Sequence, residues 1–204
     1  MRIKTIINLW KFPILGIIYC FMKADDRELL LADLKRFEIA WVEQSCLNSL
    51  LFRIFVMLIK ERSFSSVMLF RLNSQIILKT IFDVVWRPLK TIELNSISGE
   101  IGPGLWVSHN YMVISVYSAG KNFRVGPGVV IGLKKEKEKK IINPVIGDDV
   151  YICANSTVVG GVKIGNNVVV CPGSVVINDI PSNCTVAGNP AKIIKKREKT
   201  YLDI

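Results

Sequence analysis

His109 is the only imidazole in a chain of 204 residues. Histidine titrates near neutral pH, so one well-placed copy can accept a proton and return it within a reaction cycle. Five cysteines accompany it: Cys20, Cys46, Cys153, Cys171 and Cys184. The count is odd and no CxxC or Cys/His cluster occurs. That pattern suits free thiols in a reducing compartment and neither disulfides nor a zinc site. The net charge of +10 points to anionic partners: a phosphorylated cofactor, a membrane surface or nucleic acid. Interleaved aromatic and basic residues and RNA- or DNA-binding signatures are absent, which sets nucleic acid aside.

The segment that must position His109 repeats every six residues. Ile101, Val107, Val113, Ala119, Val125 and Ile131 form one series; Ile146, Ile152, Val158, Ile164, Val170 and Val176 form a second. Neither a helix nor a continuous strand has this period, but a chain that turns a corner after each short strand does. Three hexads make one triangular coil of 18 residues, and the ladder residues of successive coils stack into an aliphatic core. Gly102, Gly120, Gly126, Gly132, Gly147 and Gly165 each follow a ladder position, where a corner needing unusual backbone angles is expected. Residues 133–145 interrupt the count and read as an excursion loop, with Lys134–Lys140 (KKEKEKK) a solvated segment able to flank an acceptor site or touch an anionic membrane. A last strand is expected near Cys184–Gly188, and a basic tail, helical or frayed, from Lys192.

Residues 1–90 read differently. Thirteen of the fourteen glycines lie at or after Gly99, which sets a boundary near residue 90 between a helical region and residues 91–204. Asp25–Ile59 has apolar residues at three- and four-residue spacings, and Asp25 and Asp26 suit a helix N-terminus. A second helix is expected from Phe64 to about Trp86, ending near Pro88. The apolar N-terminus is interrupted by Lys11 and Pro13, against a signal peptide or a spanning helix. An interfacial helix is one reading of it, and a buried or subunit-contacting helix the other.

The stretches Ile101-Gly102-Pro103-Gly104-Leu105 ahead of His109, Pro144 to Ile152, Gly160 to Asn167 and Val186-Ala187-Gly188-Asn189-Pro190-Ala191-Lys192 resemble the hexapeptide-repeat acyltransferases, most of all the serine acetyltransferase branch and its polysaccharide-acetylating relatives. The resemblance covers about residues 92–195. It implies a mixed fold, an N-terminal α-helical region followed by a left-handed parallel β-helix with one excursion loop, assembled as a homotrimer. It implies an acetyl-CoA-dependent cytoplasmic enzyme without a metal, with contact at the inner membrane face left open. His109 is then the general base that takes the acceptor hydroxyl's proton as its oxygen attacks the thioester. Glu93 stands near the position of the carboxylate that orients it. Ala154 and Pro172 correspond to the acetyl-CoA groove, and Lys192 and Lys195 to its nucleotide phosphates.

Departures from that pattern bear on the acceptor. Serine acetyltransferases have an Asp before this histidine, where this chain has Ser108. They have a second histidine, preceded by arginine, where this chain has Asn143 preceded by Ile142. A zwitterion needs opposite charges to replace its hydration, whereas Ser108, Asn110 and Asn143 are neutral hydrogen-bonding groups. The expected acceptor is therefore a sugar hydroxyl in surface-polysaccharide synthesis. L-serine is the alternative, with an amino sugar's nitrogen and a non-catalytic β-helix scaffold further behind. A hexapeptide carbonic anhydrase needs three histidines and is excluded.

Overall fold

The computed structural model describes residues 6–40, 49–98, 100–108, 111–132 and 143–196. The chain divides into two compact units, Met1–Leu89 and Lys90–Ile204.

The first unit is helical. A 3₁₀ turn at Leu9–Lys11 leads into α1 (Phe12–Phe21), followed by α2 (Ala24–Ala40), α3 (Leu50–Lys60), α4 (Arg62–Arg71) and α5 (Ile76–Trp86). Pro13 falls in the first turn of α1, where its missing N–H would have no partner in any case. Asp25 and Asp26 occupy the first turn of α2, favourable against the helix dipole. Glu61 caps α4, its carboxylate accepting from the Ser63 N–H at 3.2 Å. The single helix expected over Phe64–Trp86 is in fact two. The break at Asn73–Gln75 is held from a distance: Asp26 accepts from Gln75 Nε2 at 2.9 Å and from Ser74 Oγ at 3.5 Å. The core joins Phe37, Phe55, Phe64 and Phe82, all fully buried, with the Phe37 and Phe64 rings meeting edge to face at 5.0 Å. Inside it Arg71 grips Asp33 through two bonds, Nε to Oδ2 at 2.8 Å and Nη2 to Oδ1 at 3.1 Å, which ties α4 to α2.

The second unit is a parallel β-solenoid of three faces. The first face stacks β1 (Ile92–Ser96), β3 (Met112–Val116), β6 (Val130–Gly132), β9 (Thr157–Val159) and β12 (Val175–Val176). The second stacks β4 (Ser118–Ala119), β7 (Val145–Ile146) and β10 (Lys163–Ile164). The third stacks β2 (Trp106–Val107), β5 (Arg124–Val125), β8 (Tyr151–Ile152), β11 (Val168–Val170) and β13 (Cys184–Ala187), closed by β14 (Lys192–Lys196), which runs antiparallel to β13. The tail expected to be helical or frayed is thus a strand over Lys192–Lys196; residues 197–204 lie outside the described residues. Val107, Val125, Ile152 and Val170 are fully buried one above another, as the six-residue ladder predicts, and Val186 continues the column beyond it.

Two expectations need correction. Val113 does not point inward; it is exposed and Ile114 is buried in its place. Val107 pairs with Val125 and Ile114 with Ile131, so the chain passing this corner takes one residue more than the coil below it, and Tyr111 there has φ 61. The extra residue shifts the count by one and reverses the facing of the next strand.

The glycines after ladder positions are also not there for unusual angles. Gly102, Gly120, Gly147 and Gly165 have no positive φ. They permit close coil-on-coil approach: a Cβ on Gly120 would lie 2.8 Å from the Gly147 carbonyl carbon. Left-handed backbone is carried instead by the column Asn122, Asp149, Asn167 and Asn183. These types tolerate it, and they bond along the column, Asn122 Nδ2 to Asp149 Oδ1 at 2.8 Å and Asn167 Nδ2 to Asn183 Oδ1 at 2.9 Å. Gly120→Ala is expected to cost about 1–3 kcal/mol by forcing coils apart. An unchanged urea midpoint would refute the close stacking.

Candidate active site

His109 and Asn110 lie outside the described residues, but the chain on either side of them is placed. Ser108 and Tyr111 flank them at the corner where the third face passes to the first. Successive coils stack along this corner in one register. Ser108 N–H donates to the Val125 carbonyl, Gly126 to Ile152, Cys153 to Val170 and Cys171 to Val186, at 2.8–3.1 Å. The corner therefore carries Ser108, Gly126, Cys153 and Cys171 in a column, with Ala154 and Pro172 each one residue further on. Ala154 is half-buried and Pro172 exposed. A Cβ on Gly126 would meet the Ala154 nitrogen at 2.6 Å, so the coils are tightly apposed here too. Lys192 pairs with Ala187 and Lys195 with Thr185, both exposed at the end of the third face. The structure thus places the flanks of His109, Ala154 and Pro172 along one corner and Lys192 at the Ala187 end of β13, while Lys195, opposite Thr185, lies further back along that strand.

Glu93 is exposed on β1, paired with Val113, which follows Tyr111 by two residues on the neighbouring strand. It stands on the first face close to the same corner.

The neutral groups proposed to hold the acceptor fare differently. Ser108 is 7% exposed, and its hydroxyl donates to the Val125 carbonyl at 3.3 Å. Asn143 is 1% exposed and donates from Nδ2 to both the carbonyl and the hydroxyl of Ser115, each at 3.0 Å. It precedes β7, at the corner where the first face passes to the second. Asn143 is therefore not a substrate group brought beside Ser108. Its donors are consumed in fastening the end of the excursion loop to β3, and within one chain it belongs to a different corner. The rest of that loop, including Lys134–Lys140, lies outside the described residues.

One feature escaped the ladder count. On the outer surface of the third face the Arg124 guanidinium is sandwiched between Trp106, 4.2 Å from the ring centroid, and Tyr151, 4.5 Å. Trp106, Arg124 and Tyr151 are register partners on successive coils. Each sits one residue before a ladder position, so reading those positions down the coils would have found the stack. It covers Cys153. Burial raises the thiol's pKa above its ordinary value and Cys171 adds to this, against a hydrogen bond with Tyr151 and the charge of Arg124. Cys184 is raised by burial as well, and its Sγ lies 3.1 Å from the Pro181 carbonyl. A raised pKa leaves less thiolate at a given pH, and thiolate is the reactive form. In mildly alkaline buffer the exposed Cys20 is expected to take a thiol reagent well before Cys153 and Cys184. Peptide mapping that finds Cys153 labelled first would contradict this burial.

Residues 143–178 match the family described as Bacterial transferase hexapeptide (six repeats). Proteins similar to the chain include serine acetyltransferases. The chain is 38% identical over 100 residues to the serine acetyltransferase of Staphylococcus epidermidis, covering 48% of this chain and 46% of that one. The Staphylococcus aureus enzyme is 37% identical over the same length. The chain thus spans about half the length of the curated relatives it matches. Among solved structures, Neisseria gonorrhoeae serine acetyltransferase in complex with serine is similar with TM-score 0.57 and 25% identity, over 83% of this chain and 69% of that one. Serine acetyltransferase from Brucella abortus in complex with coenzyme A shares the fold at TM-score 0.54 and 20% identity, over 84% of this chain and 68% of that one.

Proposed function

We propose that the protein transfers acetyl from acetyl-CoA to a hydroxyl by serine acetyltransferase chemistry, with L-serine as the acceptor. The observation that carries this reading is the 38% identity to a serine acetyltransferase over 100 residues. It reverses the preference for a sugar drawn from the sequence. Part of the physical basis for that preference is also gone, since the Asn143 amide is sealed against Ser115. One observation still favours a sugar hydroxyl as a second reading: the residues before His109 and Pro144 are neutral, where a zwitterion calls for charge.

In the proposed reaction the acceptor hydroxyl gives its proton to His109 while its oxygen attacks the thioester carbonyl. A hydroxyl is a poor nucleophile at neutral pH, and a base titrating near 7 removes that limitation. The tetrahedral oxyanion is met by hydrogen-bond donors. Collapse expels the CoA sulfur, which takes the proton back from the imidazolium. No bond to the protein forms, so Cys153 and Cys171 have no chemical step to perform. At this corner the half-buried Ala154 and the exposed Pro172 are compact side chains, which suits the pantetheine arm, while Lys192 and Lys195 supply charge for the phosphates. Glu93 orients the base. A homotrimer in the cytoplasm completes the reading, as the resemblance to this family implies.

Release of free CoA thiol from acetyl-CoA, followed with L-serine and with neutral sugars in parallel, tests the reading. Turnover with L-serine alone supports it. Turnover with sugars alone moves the acceptor to the second reading, and release with neither acceptor removes the proposed activity.

A further inference from the structure

The helical unit leaves two stripes of large apolar side chains uncovered. One runs from the 3₁₀ turn along α1: Trp10, Ile17 and Phe21 are 61%, 56% and 73% exposed. The other runs along α5: Ile77 and Val84 are 76% and 67% exposed, with Ile81 between them. Residues seven and four apart share one side of a helix, so each stripe is a continuous face. The two helices pack together and run antiparallel. At one end the Lys11 ammonium lies 5.8 Å from the centre of the Trp86 ring. At the other, Asp26, just past α1, holds Gln75, just before α5.

Charge is distributed around these faces in a particular way. α1 carries no ionisable acid or base other than Tyr19 and Cys20, and α5 carries only Lys79 and Asp83. Lys11 and Arg87 gather at one end, while at the other Lys23 stands beside Asp25 and Asp26. Lys11 and Arg87 lie close enough for their like charges to repel, and burial together with Arg87 lowers the pKa of Lys11. Among the described residues no helix is long and apolar enough to cross a membrane. A short apolar face with a tryptophan and a pair of cations at one end matches the chemistry of the bilayer interface, where aromatic rings sit at headgroup level and basic side chains meet lipid phosphates.

We propose that the α1–α5 face docks flat on an anionic lipid bilayer. Charge complementarity selects this occupant. A second copy would bury the same apolar residues but would bring another chain of net charge +10 against the Lys11–Arg87 pair, whereas lipid phosphates relieve the repulsion within that pair. The proposal is independent of which acceptor is acetylated.

Cosedimentation of the full chain with phosphatidylglycerol–phosphatidylcholine vesicles, against pure phosphatidylcholine, tests it. The protein should pellet with the anionic vesicles and dissociate as salt is raised. The triple variant Trp10→Ser, Phe21→Ser, Ile77→Ser should bind at least about tenfold more weakly with an unchanged circular dichroism spectrum. A second set, Lys11→Gln with Arg87→Gln, keeps the apolar stripes and should lose the preference for anionic lipid. Wild-type protein left in the supernatant at low salt would overturn the proposal. So would either folded variant pelleting like wild type, or a serine variant that lowers the native mass while lipid binding persists, since that assigns the face to a second copy.

Discussion

Replacing His109 by alanine is expected to cut acetyl transfer by about 10²–10⁴-fold, the usual contribution of a positioned general base. The expectation rests on chemistry and on placement. No other side chain in the sequence titrates near neutrality in its unperturbed state. The residues on either side, Ser108 and Tyr111, lie at the corner that also carries Ala154 and Pro172. The loss should fall on kcat, because the substitution leaves the positions proposed for acetyl-CoA along the column unchanged. Folding should be unaffected, since the core of this unit consists of ladder aliphatics such as Val107, Val125 and Ile152. Steady-state kinetics with acetyl-CoA and L-serine, alongside a thermal unfolding curve, separate the two effects. A variant with full activity would remove the catalytic assignment.

The second large effect concerns stability of the helical unit. Asp33→Ala or Arg71→Ala, made singly, is expected to cost about 3–5 kcal/mol, because each leaves an uncompensated charge where both side chains are buried. Replacing both, with Asp33→Leu and Arg71→Met, should recover most of that loss, since a buried pair and an apolar pair of similar volume differ little. By contrast Arg53, which pairs with Glu38 nearer the surface, should matter less when removed. Urea unfolding of the four variants reads the difference. Single substitutions that cost no more than a surface ion pair would show that the Asp33–Arg71 bonds do not organise this core.

The solenoid was legible because its strands are only two to five residues long and each contributes a buried aliphatic at nearly fixed spacing. Where the spacing held, as at Ile152, Val170 and Val176, facing followed directly. It failed at Val113, where a single extra residue beside Tyr111 changed the facing of β3. Nothing in the aliphatic count reports on a corner of that kind. Most of the glycines were recognised but for the wrong reason: Gly102, Gly120, Gly126, Gly147 and Gly165 answer to the neighbouring coil, 17 residues or more away, and local backbone angles do not reveal that distance. The break between α4 and α5 depends on Asp26, far along the chain, gripping Ser74 and Gln75. Asn143 looked like a substrate group because its type was read without its partner. Its bond to Ser115 joins β3 to the start of β7 across the excursion loop, a contact no linear pattern exposes. The Trp106–Arg124–Tyr151 stack was visible in principle at the positions just before the ladder.

The central claim is a direct acetyl transfer from acetyl-CoA to a small hydroxyl, with no acyl-protein intermediate. Mass spectrometry after incubating the purified full chain with ¹³C-acetyl-CoA and L-serine tests it most directly. The account predicts labelled O-acetylserine, an unmodified protein mass throughout turnover, and loss of product with His109→Ala. Label accumulating on the protein at Cys153 or Cys171, or acetyl-CoA left intact with L-serine and with sugars alike, would contradict it.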